Sequence, residues 1–335
     1  MSDKDVISDA LEAYRECSEA ASENRAMFEA DIRFSRMGEQ WPETVKRERE
    51  REGRPVLTIN RIPSFARQVI NDARQNRPSI KVHPADSSAD PRTAEVMSDL
   101  IRNIEYISNA DIAYDTAIEN AVYGGFGYIR VATDYAHDDS FDQDILIGRV
   151  LDPLTIVGDS RSDCADSSDW DRAFVVEGMS EDEFEAKYKD AARTSFGADV
   201  SMSVDSDEII VAEYWTREVV STKILKLSNG LILSEDQFKK NAEILQAAGI
   251  MVVGDRDSKT HKVVQRILSG SEQLEENAWS GRFIPIIPVY GEEVFVDGKR
   301  YFKSLHRDAQ DTQRMLNYWR TASTELVALA PKTPW

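Results

Sequence analysis

The chain has 335 residues, 41% hydrophobic and 30% charged, which excludes a disordered chain and allows one large or two ordinary cores. Its 41 basic and 60 acidic residues leave a net charge of −19. That balance excludes a tight binder of nucleic acid, which needs clustered Lys and Arg to displace counterions, but allows a surface past which DNA slides without sticking. No stretch reaches the roughly twenty apolar residues of a bilayer span, so no membrane contact is expected. The opening MSDKDVISDALEAY is acidic and mixed, unlike a secretory signal. Cys17 and Cys164 lack metal spacing and read as free thiols of a reducing compartment.

The first element spans about Asp5 to Arg36, with Leu11, Tyr14, Met27, Phe28 and Ile32 at helical spacing. KREREREGR (46–54) follows Trp41-Pro42 and alternates in sign, so it reads as a solvated helix face rather than a DNA patch. Asn60 is placed to cap a helix with Pro63 in its first turn. Ile62, Phe65, Ala66, Val69, Ile70 and Ala73 form its apolar stripe. Arg77-Pro78 ends it, and Ser79 to Val82 alternates like a short strand. A long helix is expected from Asp90-Pro91 through Met97, Leu100, Ile101, Ile104, Ala113, Ala117 and Ile118 to Gly124-Gly125.

From Gly127 the period becomes two. GYIRVATDY (127–135), DILIGRV (144–150), LTIV (154–157) and AFVVEG (173–178) read as strands of one sheet. Ser180 to Glu183 is a capping box for a helix with Phe184 and Tyr188 inward. EIIVAEYW (208–215) and TKILKL (222–227) resume strand patterning, and Asn229-Gly230 is a hairpin signal. Ser234 with Gln237 forms a second capping box, for a helix ending at Gly249. Short strands are expected at 250–254, 262–268 and 283–290. Pro285 and Pro288 confine the last of these to a sheet edge. VFVDGKRYF (294–302) reads as a hairpin. The final helix, about 305–329, carries Ala309, Met315, Leu316, Trp319 and Leu326. The chain stops at PKTPW directly after that helix, which reads as a truncation.

Catalytic patterns are sparse. YGGFGY (123–128) lacks dinucleotide-binding spacing and a preceding strand, and its glycines suit a tight helix-to-strand turn. His83, His137, His261 and His306 have no zinc-site spacing, and no serine sits in a nucleophile elbow. The carboxylate-rich loop DSRSDCADSSDWD holds Asp159, Asp163, Asp166, Asp169 and Asp171. Hard cations favour such oxygen-rich loops. Here the calcium-loop spacing is missing, so a hydrated acidic loop with no metal or cofactor is expected.

Four blocks carry a resemblance. GRPVLTINRIPSFARQVINDARQNRPSIKVHPAD (53–86), YGGFGYIRVATDY (123–135), VLDPLTIVGDSRSDCADSSDWDRAFVVEGMSEDEFEAKY (150–188) and IPIIPVYGEEVFVDGKRYFKSLHRDAQDTQRMLNYWRTASTE (284–325) resemble, in order, the portal proteins of short-tailed double-stranded DNA phages. The resemblance implies a structural, non-enzymatic subunit of a homo-oligomeric ring, usually of twelve copies, at one capsid vertex of the virion. It implies an α+β fold: a mixed helical and β wing (1–233), stem helices (234–249 and 304–330) and a small α/β clip (250–303) between them, in an elongated ring subunit. A C-terminal crown or barrel would follow beyond 330. The implied partners are further copies of the chain, the large terminase subunit, a tail adaptor or head-completion protein, capsid and scaffolding proteins, and DNA held weakly in the channel during packaging and ejection.

On the last helix Arg307, Arg314 and Arg320 stand either as channel cations or as intersubunit partners of carboxylates. Met315, Leu316 and Trp319 stand as the subunit interface. The alternatives are a metal-dependent nuclease or phosphoesterase using the Asp159–Asp171 cluster, and a non-viral scaffold or adaptor.

Overall fold

The structure, a computed structural model, describes residues 3–77, 79–85, 90–189, 191–197, 208–242, 245 and 249–329. The helices are α1 (Asp3–Ile32, continued by a π-turn over Arg33–Met37), α2 (Glu43–Arg51), α3 (Ile62–Gln75), α4 (Pro91–Ile107), α5 (Ala110–Gly124), α6 (Glu181–Lys187), α7 (Glu235–Lys240) and α8 (Gln310–Leu329). The strands are β1 (Phe126–Tyr135), β2 (Gln143–Arg149), β3 (Ile156–Val157), β4 (Arg172–Ser180), β5 (Glu208–Leu227), β6 (Ile232–Ser234), β7 (Val252–Leu268), β8 (Gln273–Trp279), β9 (Ile286–Tyr290), β10 (Glu292–Val296) and β11 (Lys299–Lys303). This is the α+β class expected. The chain divides into two compact units, Met1–Glu19 with Thr155–Ile284 and Ala20–Leu154 with Pro285–Trp335.

The first unit is an antiparallel sheet of order β3-β4-β5-β7-β8, with β6 also on β5. Ile7, Ala10, Tyr14 and Cys17 form one stripe of α1 because they stand at helical intervals, and that stripe packs on Phe174, Val176, Ala212, Tyr214 and Leu268. Phe174 and Tyr214 stack at 4.6 Å and 10°, and Tyr14 meets Phe174 edge-on at 5.3 Å. Another cluster gathers Phe184 of α6 with Ile209 and Val211. The Ser180 and Ser234 capping boxes both form. After Lys240 the expected helix to Gly249 falls partly outside the described residues. Gly249 does adopt the left-handed φ of 67° expected of a helix-ending residue.

Two strand runs are longer than their side chains suggest. β5 continues through Thr216–Ser221, and β7 joins the expected 250–254 and 262–268 strands, because the two pair from Ala212–Leu268 to Leu227–Val252. Ladder hydrogen bonds are made by the backbone, so charges such as Arg217 and Glu218 do not interrupt them. β4 follows β5 only to Thr216, and β8 follows β7 only to Val263. Beyond those points a two-stranded ribbon extends, bare on both faces at Val219 and Val220. The residues 250–303 therefore supply strands to more than one sheet, with β7 built into the same sheet as β5.

The second unit holds a sheet of order β2-β1-β9 and the hairpin β10–β11. The four strand signals from 127 to 178 thus fall in two sheets rather than one: β1 and β2 here, β3 and β4 in the first unit. Period-two patterning shows that a strand is half-buried but not which sheet buries it. β9 lies at the sheet edge, with Pro288 opposite Tyr128, as its prolines required. Gly125, at φ 103°, caps α5 onto the Ala121 carbonyl and turns the chain into β1. A Cβ there would strike the backbone of Phe302. The single long helix expected over 90–124 is two, broken at Asn109 with φ 48°. Asn tolerates that conformation and costs little inside a helix, so periodicity alone ran through it.

The hairpin turns through Asp297 and Gly298, both left-handed. The second half of α1 fastens it: Asn24 accepts from Phe302 N at 3.0 Å and donates to the Arg300 carbonyl at 2.8 Å. Lys299 and Tyr301 both reach Glu23. Among the described residues, no helix is long and apolar enough to cross a membrane.

Phe174 is fully buried at the centre of the first unit. Phe174→Ala is expected to destabilise that unit by about 3–5 kcal/mol, the usual result of removing a core aromatic. A shift in the urea midpoint smaller than that of an exposed control such as Val219→Ala would show the aromatic cluster to be unimportant.

Candidate functional site

The last helix was expected to carry the chain's functional side chains, and its two faces divide by polarity in an unusual sense. Gln313, Asn317, Thr321 and Glu325 stand every fourth residue on one face. Asn317 and Thr321 are each only 1% exposed. Against that face lies the extended segment 55–61. Leu57 N donates to Thr321 Oγ1 at 3.3 Å, Ile59 N to Asn317 Oδ1 at 2.9 Å, and Arg61 N to Gln313 Oε1 at 3.3 Å. Gln313 Nε2 returns a bond to the Ile59 carbonyl at 2.8 Å.

The register works because four helical residues rise about 6 Å and two extended residues about 6.6 Å. Alternate N–H groups of the segment therefore meet successive turns of α8. Gln40 Oε1 ties the two central amides together, accepting from Asn317 Nδ2 at 2.7 Å and Gln313 Nε2 at 3.0 Å. At the far end Arg54 and Arg49 both bind Glu325, at 2.8 and 2.9 Å. Hydrogen bonds from Arg54, then from Arg49, hold the Glu325 carboxyl below the usual carboxylate range.

With its polar side engaged, α8 turns its apolar side outward. Of the expected interface residues, Met315 and Trp319 are exposed, Trp319 at 67%, and Leu316 is half-buried. Leu326 continues the exposed stripe at 73%. Tyr318 packs on Trp41, with ring centroids 4.5 Å apart.

The three arginines do not converge. Arg307 Nη1 binds Asp31 Oδ1 at 2.7 Å. Asp31 is wholly buried and also accepts from Gln310 Nε2 at 2.6 Å and Ser304 Oγ at 2.7 Å. Arg314 pairs with Asp311 at 2.8 Å and lies 4.9 Å over the Phe34 ring. Arg320 is exposed and makes no ion pair among the described residues. Arg314 and Arg320, six residues apart, point about 120° from one another around the helix. The Asp31 hub and the Gln/Asn/Thr stripe were not singled out from the sequence. Their only signal was a polar residue at every fourth position opposite an apolar stripe, which by itself describes a solvated face.

The acidic loop is closed on itself. Asp169 Oδ2 accepts from Asp163 N at 2.6 Å and Cys164 N at 3.0 Å, and its Oδ1 from Ser162 Oγ at 2.8 Å. Burial works to raise the Asp169 carboxyl, but these donors outweigh it and hold the group below its ordinary range. Asp159 accepts from Arg161 N and Asp171 N, and Asp171 pairs with Arg217 at 3.0 Å. The carboxylates of Asp159, Asp166 and Asp169 are thus aimed at their own loop and that of Asp171 at Arg217, and no group of three metal-ligating side chains occurs among the described residues. Among the described residues, neither Cys17 nor Cys164 forms a disulfide.

Two outcomes follow from this geometry. Asn317→Ala leaves the buried Ile59 N–H unmet and takes away one of the two donors to Gln40 Oε1, and is expected to destabilise the protein by about 1–3 kcal/mol. Trp319→Ala on the opposite face should stay within about 0.5 kcal/mol in the isolated subunit. Equal urea midpoints for the two variants would contradict the ladder.

The second outcome concerns His306, which is buried and faces the Tyr123 carbonyl through Nε2 at 3.1 Å. A carbonyl only accepts, so the neutral ring carries its proton on Nε2, and Nδ1 has no partner. Burial, only partly opposed by Asp31, pushes the ring's pKa down. The folded chain therefore binds fewer protons than the unfolded one below about pH 6.5, so stability is full above that pH and is lost as pH falls toward the folded value. His306→Gln should flatten the fall in unfolding free energy between pH 7 and 5. An unchanged slope would remove His306 from the titration.

The comparison with known proteins bears on what such a helix is for. The phage P22-like portal protein family matches residues 11–335. A portal protein of Acyrthosiphon pisum secondary endosymbiont phage 1 is 28% identical over 277 residues, which is 78% of this chain and 38% of that protein. The chain thus spans well under half the length of that relative. With a match over nearly its whole length, the chain belongs to the phage P22-like portal protein family.

Proposed function

We propose that the chain is the subunit of a ring-shaped DNA conduit at a capsid vertex of the virion, a structural rather than catalytic part used in genome packaging and ejection. The observation that carries this reading is the orientation of α8. Its polar face is consumed inside the subunit while Met315, Trp319 and Leu326 are left outside, so further copies must supply their burial. The net charge of −19 suits a passage that does not hold DNA through many phosphate contacts.

In this reading the ring is a dodecamer. Its partners are the large terminase subunit, a tail adaptor or head-completion protein, and the capsid and scaffolding proteins. Assembly takes place in the host bacterial cytoplasm. Residues 304–330 serve as a stem, with 234–249 as the second stem segment, 1–233 as wing and 250–303 as clip. Because β7 pairs along β5, such a clip shares its sheet with the wing.

Light scattering and negative-stain imaging across protein concentration and salt test the proposal. Closed rings with a central hole are expected. A strictly monomeric mass under every condition would overturn it.

A further inference from the structure

Where the chain enters α8 it is held against the end of α5 by two bonds. Leu305 N donates to the Val122 carbonyl at 3.0 Å, and His306 Nε2 meets the Tyr123 carbonyl at 3.1 Å. Val122 and Tyr123 stand in the last turn of α5, whose carbonyls find no partner inside the helix. The Leu305 side chain is exposed, so the ring of His306, only 5% exposed, is the buried peg of this joint. It lies against the rings of Phe34 and Tyr123, with centroids 6.4 and 6.5 Å away.

The joint fits a neutral ring and not a charged one. In the neutral ring the Nε2 proton points at a carbonyl, and the buried Nδ1 meets no polar group. A second proton would enter on Nδ1 and leave a buried cationic N–H without an acceptor. The carboxylate that acts on the ring is Asp31 of α1, and both its oxygens are taken. Oδ1 accepts from Arg307 and Gln310, and Oδ2 from Ser304. Asp31 can serve an imidazolium only by dropping a bond that fastens the same segment.

The other charges around the joint are mostly positive. Arg307 adjoins the ring, Arg314 of α8 lies 4.9 Å over Phe34, and Arg36 after α1 lies 4.9 Å over Tyr123. Arg67 of α3 also acts on Tyr123, whose phenol burial keeps protonated. Against them stand Glu119 of α5, already paired with Arg36 at 2.8 Å, and Asp308, which is exposed and paired with Lys303. The carboxyl end of α5 favours a cation, but the neutral ring already meets that carbonyl through Nε2.

We infer that His306 is an acid-operated latch on the entry to α8. A second proton on its ring drives residues 304–309 off the end of α5 while the Gln313–Asn317–Thr321 ladder beyond them stays closed. The far end of the ladder keeps its charge in mild acid, because its two arginines hold the Glu325 carboxyl below the ordinary range. Burial lowers the affinity of the latched ring for a proton, whereas a released ring recovers the ordinary value. Stability from the latch is therefore full above about pH 6.5 and is lost below it, where opening gains up to about thirtyfold by pH 5. The latch lies within one subunit and does not depend on the ring reading.

The test is amide hydrogen exchange of the full chain at pH 7.5 and pH 5, each site expressed as protection relative to its intrinsic rate. In the unmodified chain, protection of 304–309 is expected to fall about tenfold or more at pH 5. Protection of 313–325 and of the first unit should hold. His306→Gln keeps a donor for the Tyr123 carbonyl but does not titrate, so its 304–309 segment should lose no protection in acid.

Equal loss in His306→Gln would overturn the latch, as would unchanged protection of 304–309 in the unmodified chain. Loss spread evenly over the whole second unit would replace local release by global unfolding and overturn it too. Should His306→Gln already open at pH 7.5, exchange of the ring C2 hydrogen in the unmodified chain decides, with the exposed His137 as reference. A His306 ring that titrates with His137 while 304–309 stays protected would overturn the proposal. A ring that titrates below His137, in step with the opening, would support it.

Discussion

The segment 55–61 presents a row of backbone N–H groups that no strand answers. Leu57, Ile59 and Arg61 are met instead by Thr321, Asn317 and Gln313 of α8. A buried N–H without a partner costs about 1–3 kcal/mol, so this row dictates which face of α8 turns inward. Once the polar face is taken, the apolar face has nowhere to go but outward. The exposure of Met315, Trp319 and Leu326 is therefore a consequence of backbone hydrogen bonding elsewhere, and it is the observation on which the proposed assembly rests. The same reasoning explains why its buried stripe is Gln, Asn and Thr rather than Leu. An aliphatic residue would pack well but would leave the segment's N–H groups dry.

A second constraint fixes where α8 begins. Asp31 is a fully buried carboxylate, and burial of a charge is tolerable only when its lone pairs are filled. Ser304, Arg307 and Gln310 fill them, so the chain entering α8 is tied to the end of α1 at three points. Arg307 serves this role, and the long guanidinium side chain reaches a carboxylate that a lysine would meet with less directional bonding. The π-turn that closes α1 over Arg33–Met37 lies just beyond the hub. There the Ser35 hydroxyl bonds the Asp31 carbonyl at 2.7 Å, placing a further polar contact in the same buried region.

In the first unit the strength of support varies along β5 and β7. Between β4 and Thr216 the sheet is covered and aromatic. Beyond Arg217 only β5 and β7 remain until β6 joins β5 at Ile224–Lys226, and Lys223 and Asp255 pair at 2.6 Å on one face. Two-stranded ribbons are marginal by themselves, and this one is anchored at its root by Val263 and Val264 and at its tip by Leu225, Leu227 and Leu245. Exposed charges along the β7 edge, including Arg256, Asp257 and Lys259, discourage unplanned strand addition.

The sequence by itself determined most of the local elements. Both capping boxes, the Gly125 turn, the Asp297-Gly298 hairpin and the edge position of β9 were legible because each depends on residues within a few positions of one another. The family, too, was legible in the order of four blocks. What only the tertiary structure decided was which face of each element meets which neighbour. Phe65 and Val69 share a helical stripe with Ile62, Ala66 and Ile70, yet only the latter three are buried. Trp319 and Asn317 differ in polarity, yet the polar one is inside. Arg307, Arg314 and Arg320 looked alike along the chain but have three different surroundings. Periodicity reports the polarity of a face, whereas burial follows from the unmet backbone groups and packing volumes of segments hundreds of residues away, which no local pattern contains.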